Sequence, residues 1–220
     1  AIAAILDTTP RAAYLKAAPH VAGFLLSPLF RTGLALRREV SKRVRVVAGV
    51  TDLRADGSDK LASVTYAAAG RQATLSADNL LLHQGVVPNV NLAMAAGCQH
   101  RWDARQLCFV PVLDADGQTS VPGIFIAGDG AGIAGASAAV ERGRIAAIAA
   151  CRALTPHASA PDAQAIRQRL ARHEAARGFL DTLFQPPRRF RVPPSDDTIV
   201  CRCEEVTAGA VREAARLGCE

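Results

Sequence analysis

An α/β fold built on parallel strands is expected for this chain, on three observations. Short apolar runs alternate with helical patterns along the sequence. One such run, residues 124–127, follows a polar turn at 120–123 and breaks at Gly128-Asp129-Gly130. Small residues (Gly132, Ala134, Gly135, Ala136 and Ala138) then open an Ala-rich helical stretch. That order predicts a buried strand delivering one carboxylate to the carboxyl end of a sheet, beside a helix N-terminus. In open α/β sheets this crevice is where nucleotides sit. Asp129 is an acceptor-only group, so it cannot hold phosphate. It suits a hydroxyl of a ribose or ribityl chain, while the helix N-terminus takes the pyrophosphate. A plain Asp-Gly turn is the competing reading.

The elements follow in order. Residues 2–7 read as a buried parallel strand ending at Asp7, with Thr8, Thr9 and Pro10 as its turn. An acidic residue there either binds ribose hydroxyls, as in a nucleotide-binding βαβ unit, or serves as a strand-end turn. Residues 29–41 carry an apolar helical face (Leu29, Phe30, Leu34, Leu36). A strand is expected at 44–50, a turn at Asp56-Gly57-Ser58, a hairpin of 61–68 with 72–75, and another strand at 79–82. Gly85 then allows a tight turn that Pro88 fixes.

A short helix at 93–98 stops at Gly97. Trp102 falls in a loop, 108–112 is a strand, and Asp114-Ala115-Asp116-Gly117 is a hairpin-type turn. The last lacks the remaining ligands of a calcium loop. Residues 132–151 form the helix after Asp129. Backbone amides near Gly135 and Ala136 stand at its N-terminus, where the helix dipole favours negative charge. Residues 155–161 read as a linker and 162–184 as one long amphipathic helix ended by Pro186-Pro187. A basic, Pro-rich tether follows at 185–197.

Composition narrows the classes. The 220 residues are half hydrophobic, enough for one large domain or two small ones. The net charge is +6, but the Arg residues are scattered and read as a solvated surface. No basic stripe with interleaved aromatics points to nucleic acid. No apolar segment reaches the length of a membrane span. Six cysteines in a core-rich chain fit a reducing, cytoplasmic compartment better than a disulfide framework. Ala rather than Met stands first and the chain stops at a helix end, so a piece of a longer protein is expected.

Residues 123–147, GIFIAGDGAGIAGASAAVERGRIAA, resemble the second flavin fingerprint of two-dinucleotide-domain flavoproteins, the thioredoxin-reductase and glutathione-reductase group. The resemblance implies that Asp129, between Gly128 and Gly130, binds the ribityl chain of FAD. Residues 83–89, His-Gln-Gly-Val-Val-Pro-Asn, resemble the turn at which such chains return from an inserted NAD-type domain to the FAD domain. Gly85 and Pro88 are its defining positions. His83, a lone His at a strand end, is read as structural.

The second chemical signal is Cys201-Arg202-Cys203. Two thiols one residue apart suit a soft metal centre: zinc, copper(I) or an iron–sulfur cluster. Thr207 reads as the cap of a helix over 208–217, stopped by Gly218. Residues 198–219, TIVCRCEEVTAGAVREAARLGC, resemble the start of the bacterioferritin-associated-ferredoxin-like 2Fe-2S domain. That implies Cys201 and Cys203 as the first two ligands of a cluster whose second pair lies beyond Glu220. Cys219 matches no ligand position.

A flavin fingerprint followed by this Cys-x-Cys segment resembles the larger-subunit family of opine oxidases, hydrogen cyanide synthase and related amino-acid dehydrogenases. The implied organisation is the rest of an inserted NAD(P)-type domain at 1–84, Rossmann-like in fold, and the C-terminal part of an FAD domain at 85–155. A helical linker at 156–197 and a truncated 2Fe-2S domain at 198–220 complete it. The implied activity is electron relay through FAD and 2Fe-2S, with a second flavoprotein subunit oxidising a small amino-acid or opine substrate. No catalytic side chain is assigned. The rivals are an NAD(P)H-dependent flavin reductase and a non-catalytic assembly subunit.

Overall fold

The computed structural model describes residues 1–155 and 161–218. Contacts divide the chain into two units: Ala1–Leu81 with Gly85–Gln185, and Leu82–Gln84 with Pro186–Glu220.

The first unit opens with β1 (Ile5–Asp7), α1 (Arg11–Ala17), α2 (Val21–Leu26) and α3 (Pro28–Arg43). It returns to β2 (Val46–Ala48), which pairs parallel with β1 from Ile5↔Val46 to Asp7↔Ala48. This strand–helix–strand crossover is the unit of a parallel sheet. Ser27 starts α3: its hydroxyl accepts from the Leu29 amide at 3.1 Å, and Pro28 occupies the first turn. β1 is shorter than the expected 2–7 and is not buried, with Ile5 39% exposed. Two strands alone leave their faces open.

Next come β3 (Val50–Asp56), β4 (Ser63–Ala68) and β5 (Arg71–Ser76), an antiparallel meander. Val64 and Tyr66 alternate onto its buried face. The strand expected at 44–50 is split at Gly49, whose φ of +68° turns the chain between β2 and β3. Residues 79–82, expected as a strand, form none. Leu81 is 94% exposed, and an apolar run without a neighbouring strand has no ladder to join.

α4 (Asn91–Ala95) starts two residues before the expected 93, and Asn89 Oδ1 accepts from the Asn91 amide at 3.2 Å. β6 (His100–Asp103) and β7 (Cys108–Pro111) form a hairpin. Trp102, expected in a loop, lies on β6 and meets Phe109 edge-on at 5.2 Å across the ladder. Asp114 Oδ1 accepts from the Asp116 and Gln118 amides at 2.8 and 2.9 Å, which closes the expected turn.

Residues 124–127 are extended but do not form a parallel strand. They run antiparallel to 117–119, through Thr119 N–H to Ile124 C=O at 2.9 Å and Ile126 N–H to Gly117 C=O at 2.8 Å. No parallel neighbour is present among the described residues, so the backbone takes the hairpin partner that is.

α5 (Ala136–Leu154), α6 (Gln164–Glu174) and α7 (Arg177–Leu183) complete the unit. The single helix expected over 162–184 is broken at Ala175-Ala176. The break lets α7 pack on α1 and α2. Ala13, Ala17 and Leu183 form a small core there, and Phe24 stacks on Phe179 at 4.6 Å. Gly178 lies close to His20: a Cβ at that position would come 3.0 Å from the imidazole Nδ1.

In the second unit, α8 (Arg188–Arg191) interrupts the segment expected as a tether. β8 (Ile199–Cys201) and β9 (Val206–Thr207) pair antiparallel ahead of α9 (Ala208–Arg216). Thr207 caps α9 as expected, its hydroxyl accepting from the Ala210 amide at 3.2 Å. Gly218, at φ +75°, follows the helix end. The linker residues 156–160 and Cys219 lie outside the described residues.

Candidate functional site

Asp129 follows the extended segment 124–127 in a single 3₁₀ turn, Gly128–Ala131. Its side chain is exposed. No hydrogen bond or ion pair occupies the carboxylate among the described residues, although cationic Arg142 and Arg144 lie on the next helix. A free acceptor at this position is the property a sugar hydroxyl requires.

The loop between Asp129 and α5 is set by glycine. Gly132 has φ +110° and ψ +140°, a combination that side-chain-bearing residues avoid. Gly135, the residue before α5, has φ +96° and is exposed together with Ala136 and Ser137. The first intrahelical bond is Ala139 N–H to Gly135 C=O at 3.0 Å. The amides of Ala136, Ser137 and Ala138 therefore lack intrahelical acceptors, and α5 presents an open N-terminus to solvent. With 19 residues, α5 carries a full macrodipole.

The structure brings the loop at Gly130 close to the turn at 85–89. A Cβ at Gly130 would lie 3.9 Å from the Asn89 carbonyl oxygen. Pro88 is buried, and Gly85 has φ +117°, as a glycine-specific turn requires. Asp7 stands elsewhere, at the end of β1. Its Oδ1 accepts from the Thr9 amide at 2.9 Å, the strand-end-turn alternative. His83 is exposed.

Several residues that shape this site carried no local sequence signal. Gln106 Oε1 accepts from the Ile133 amide at 3.1 Å, and its Nε2 donates to the Ile133 carbonyl at 2.7 Å. Arg142 donates to the Gly132 carbonyl at 2.7 Å and twice to Glu174 Oε1, at 2.9 and 2.6 Å. Glu141, buried on α5, takes Arg144 at 3.0 Å and Arg169 at 3.2 and 3.1 Å. The hydrogen bond from Arg169 holds the Glu141 carboxyl below the usual carboxylate range, against the opposing effect of burial. Arg142 is largely covered, while Arg144 and Arg169 pair with Glu141 and stay about half exposed. A signal existed in the opposite charges of 141 and 174 against 142 and 169, but pairing them needs the α5–α6 contact.

A cavity of about 270 Å³ lies beneath the site, between the turn at 113–117, Ile126, Ala131, Ile145 on α5 and Leu170 on α6. Of its charged walls, Arg142 pairs with Glu174, Asp116 with Arg167 and Arg101 with Asp103, and Asp114 accepts from the Asp116 and Gln118 amides.

Cys201 ends β8 half-buried, and Cys203 stands exposed in the turn before β9. Both thiols are free. Among the described residues no group of three or more His, Cys, Asp or Glu side chains is placed to hold a metal ion. No described helix is long and apolar enough to cross a membrane.

The chain is 43% identical to an opine oxidase subunit of Agrobacterium tumefaciens over 220 residues, which covers 97% of this chain and 43% of that protein. It is 40% identical to the corresponding opine oxidase subunit of Rhizobium meliloti, over 97% and 41% respectively. Identity to hydrogen cyanide synthase subunit HcnB of Pseudomonas aeruginosa is 36%, over 66% of this chain and 32% of the relative. The chain thus spans less than half the length of these curated relatives. The crystal structure of L-proline dehydrogenase from P. horikoshii superimposes with a TM-score of 0.56 at 19% identity, covering 83% of this chain and 35% of that one. At that identity the match speaks for the fold alone, a mixed α/β arrangement of Rossmann-like kind. Residues 31–143 match the family model described as pyridine nucleotide-disulphide oxidoreductase, and the chain belongs to that family.

Proposed function

We propose that this chain forms the C-terminal part of the flavin-binding region of an FAD-dependent oxidoreductase subunit, of the opine oxidase and amino-acid dehydrogenase type. The observation that carries the reading is the unpartnered, exposed carboxylate of Asp129 just ahead of the open N-terminus of α5.

The residues present fit a flavin. Asp129 accepts from ribityl hydroxyls. Gly128 and Gly130 keep the chain beside it free of side chains, and Gly130 packs close to Asn89. The exposed amides of Gly135 and Ala136 donate to the pyrimidine end, where the α5 dipole favours anionic groups. Bound FAD supplies two-electron chemistry that no side chain here can perform. The protein's part is orientation and electrostatics, so no catalytic acid or base is assigned. Pro88 and Gly85 shape the turn that brings Asn89 to Gly130. Asp7, tied to its own turn, is the weaker candidate for a nucleotide hydroxyl, and NAD(P) at 1–84 rests on that residue.

We infer further that Cys201 and Cys203 are two thiolate ligands of a 2Fe-2S cluster. Such a cluster needs four protein ligands, of which Cys201 and Cys203 would be two. The support is the spacing, with Cys201 fixed by β8 and Cys203 free in the adjoining turn. A second flavoprotein subunit that carries the site for a small amino-acid or opine substrate is the proposed partner. Its support is that the relatives are themselves named as subunits. A cytoplasmic location fits the five free cysteines among the described residues.

The test is Asp129→Ala in the full-length protein. Flavin absorbance per polypeptide should fall at least tenfold while the fold, read by circular dichroism, is kept. An unchanged FAD content would end the reading. Cys201→Ser should lower iron content and spare the flavin.

A further inference from the structure

We propose that Gln106 is the positioning residue of the flavin site: it fixes the loop that aims the α5 amides. The proposal rests on the flavin reading above and assigns a part to a residue outside the fingerprint.

Gln106 sits in the β6–β7 turn, 27 residues from Ile133. Both functions of its side-chain amide engage the same backbone residue, Ile133 N–H at 3.1 Å and Ile133 C=O at 2.7 Å. It thus plays the part of a neighbouring strand for one residue of the loop. Its Nε2 also donates to Asp181 Oδ2 at 3.2 Å. The orientation of the amide follows from these partners. Reversed, the amide would set Oε1 against the Ile133 carbonyl and the Asp181 carboxylate, two acceptors.

The turn that carries Gln106 is itself held. Asp103 Oδ1 accepts from the Arg105 and Gln106 amides at 2.9 and 3.0 Å. Gln185 donates to the Ala104 and Arg105 carbonyls at 2.8 and 3.0 Å. Behind the clamp, Asp181 is paired with Arg177.

Geometry carries the effect to the site. The Gly132 carbonyl goes to Arg142 and the Ile133 carbonyl to Gln106. In a trans peptide, N–H and C=O point opposite ways. With the Ile133 carbonyl held by Gln106, the Ala134 amide must face away from it, and no described residue accepts that N–H. Ala134 is 5% exposed. Only Gly135 then separates Ala134 from α5. Two of the three peptide units after Gly132 are therefore locked before the helix begins. Without Gln106, Gly132 and Gly135 would let this loop move, since glycine imposes little of its own.

The test measures FAD dissociation constants on deflavinated full-length protein, with Gln106→Met, Gln106→Glu, Asp129→Ala and Phe179→Ala. Phe179 lies on α7 in the stack with Phe24 and is a control for lost stability alone. Gln106→Met should weaken FAD binding about tenfold, while Phe179→Ala, at an equal or larger drop in melting temperature, stays within twofold of wild type. Gln106→Glu keeps the acceptor for the Ile133 amide, but its second oxygen meets the Ile133 carbonyl and Asp181. That new carboxyl should bind a proton more readily than usual beside Asp181. The charged groups around it are Asp181 and Arg177 on α7, Asp103 in its own turn and Arg142 on α5. Its FAD affinity should recover severalfold between pH 8 and pH 5.5, while wild type changes little over that range.

Equal FAD affinity in Gln106→Met and wild type, or equal loss in Phe179→Ala, overturns the proposal. Should Gln106→Met fail to fold, the pH profile of Gln106→Glu decides, and a flat one counts against it. If Asp129→Ala loses FAD and the Gln106 variants do not, the flavin site stands and the clamp falls. If wild type takes up no FAD, both fall.

Discussion

Glu141 on α5 and Arg169 on α6 form a two-point ion pair, with Nε and Nη2 reaching Oε1 and Oε2 at 3.2 and 3.1 Å. Arg144 adds a third hydrogen bond from one turn along α5. Together with Arg142–Glu174 and Arg167–Asp116, the pair fastens α6 along α5 and against the turn at 114–117. α5 is the helix whose N-terminus the site uses, so its orientation depends on these charges.

The pair makes stability depend on pH with a defined sign. The Glu141 carboxyl lies below its ordinary value in the folded chain because Arg169 and Arg144 favour the anion. An unfolded Glu titrates at about 4.3. Between that value and the lower folded value, the unfolded state binds more protons than the folded one, so acid destabilises the fold. The contribution is complete above about pH 5 and is lost as pH falls through the folded value. Glu141→Gln should lower the melting temperature at pH 7, and the gap to wild type should close toward pH 3. Parallel melting curves at both pH values would refute this.

The loop gives a second expectation. Gly132 adopts φ +110° with ψ +140°. An added Cβ would make only ordinary contacts, 3.7 Å from Val110 Cγ1 and 3.9 Å from Gln106 Oε1. The cost of Gly132→Ala is therefore backbone strain, about 1–3 kcal/mol. Gly143, inside α5, has nothing within 4 Å of such a Cβ. Gly143→Ala should stabilise by about 0.5–1 kcal/mol through helix propensity. Chemical denaturation of both variants checks the opposite signs. Equal signs would mean that the loop is not held as described.

The sequence carried the local part of this site, because the local part is written in neighbours. Gly128-Asp129-Gly130, the small residues after it, Gly85 with Pro88, and the Thr207 cap are short-range patterns; Thr207 caps α9 and Gly85 takes the positive φ that their patterns imply. The rest depends on partners far away in the chain. Gln106 meets Ile133 only after β6–β7 folds beside the loop. Residues 124–127 have the composition of a buried strand, yet pairing partners decide what such a run becomes, and the partner here is 117–119. The break at Ala175-Ala176 is likewise invisible locally, since alanine favours helix. It is the packing of Phe179 and Leu183 against Phe24, Ala13 and Ala17 that turns the chain.

The cysteines give the last expectation. Cys98 and Cys108 are 6% and 7% exposed, whereas Cys151 on α5 is exposed. Alkylation needs a thiolate that the reagent can reach. Cys108 fails on both counts. Burial, then the negative charges of Asp103 and Asp181, push its thiol above the ordinary value. Iodoacetamide at pH 8 should label Cys151 at least about a hundredfold faster than Cys108, whose labelling must wait for opening of the β6–β7 hairpin. The same shift carries a stability consequence. In the unfolded chain the thiol ionises near pH 8.5, while in the fold it stays protonated to higher pH. Alkali therefore favours the unfolded state, and stability falls as pH rises past that point. Cys108→Ala should flatten the fall in melting temperature between pH 8 and pH 10. Mass spectrometry that finds Cys108 and Cys151 modified at the same rate would place Cys108 outside the core, and the link from this hairpin through Gln106 to the loop at 132–135 would lose its rigid base.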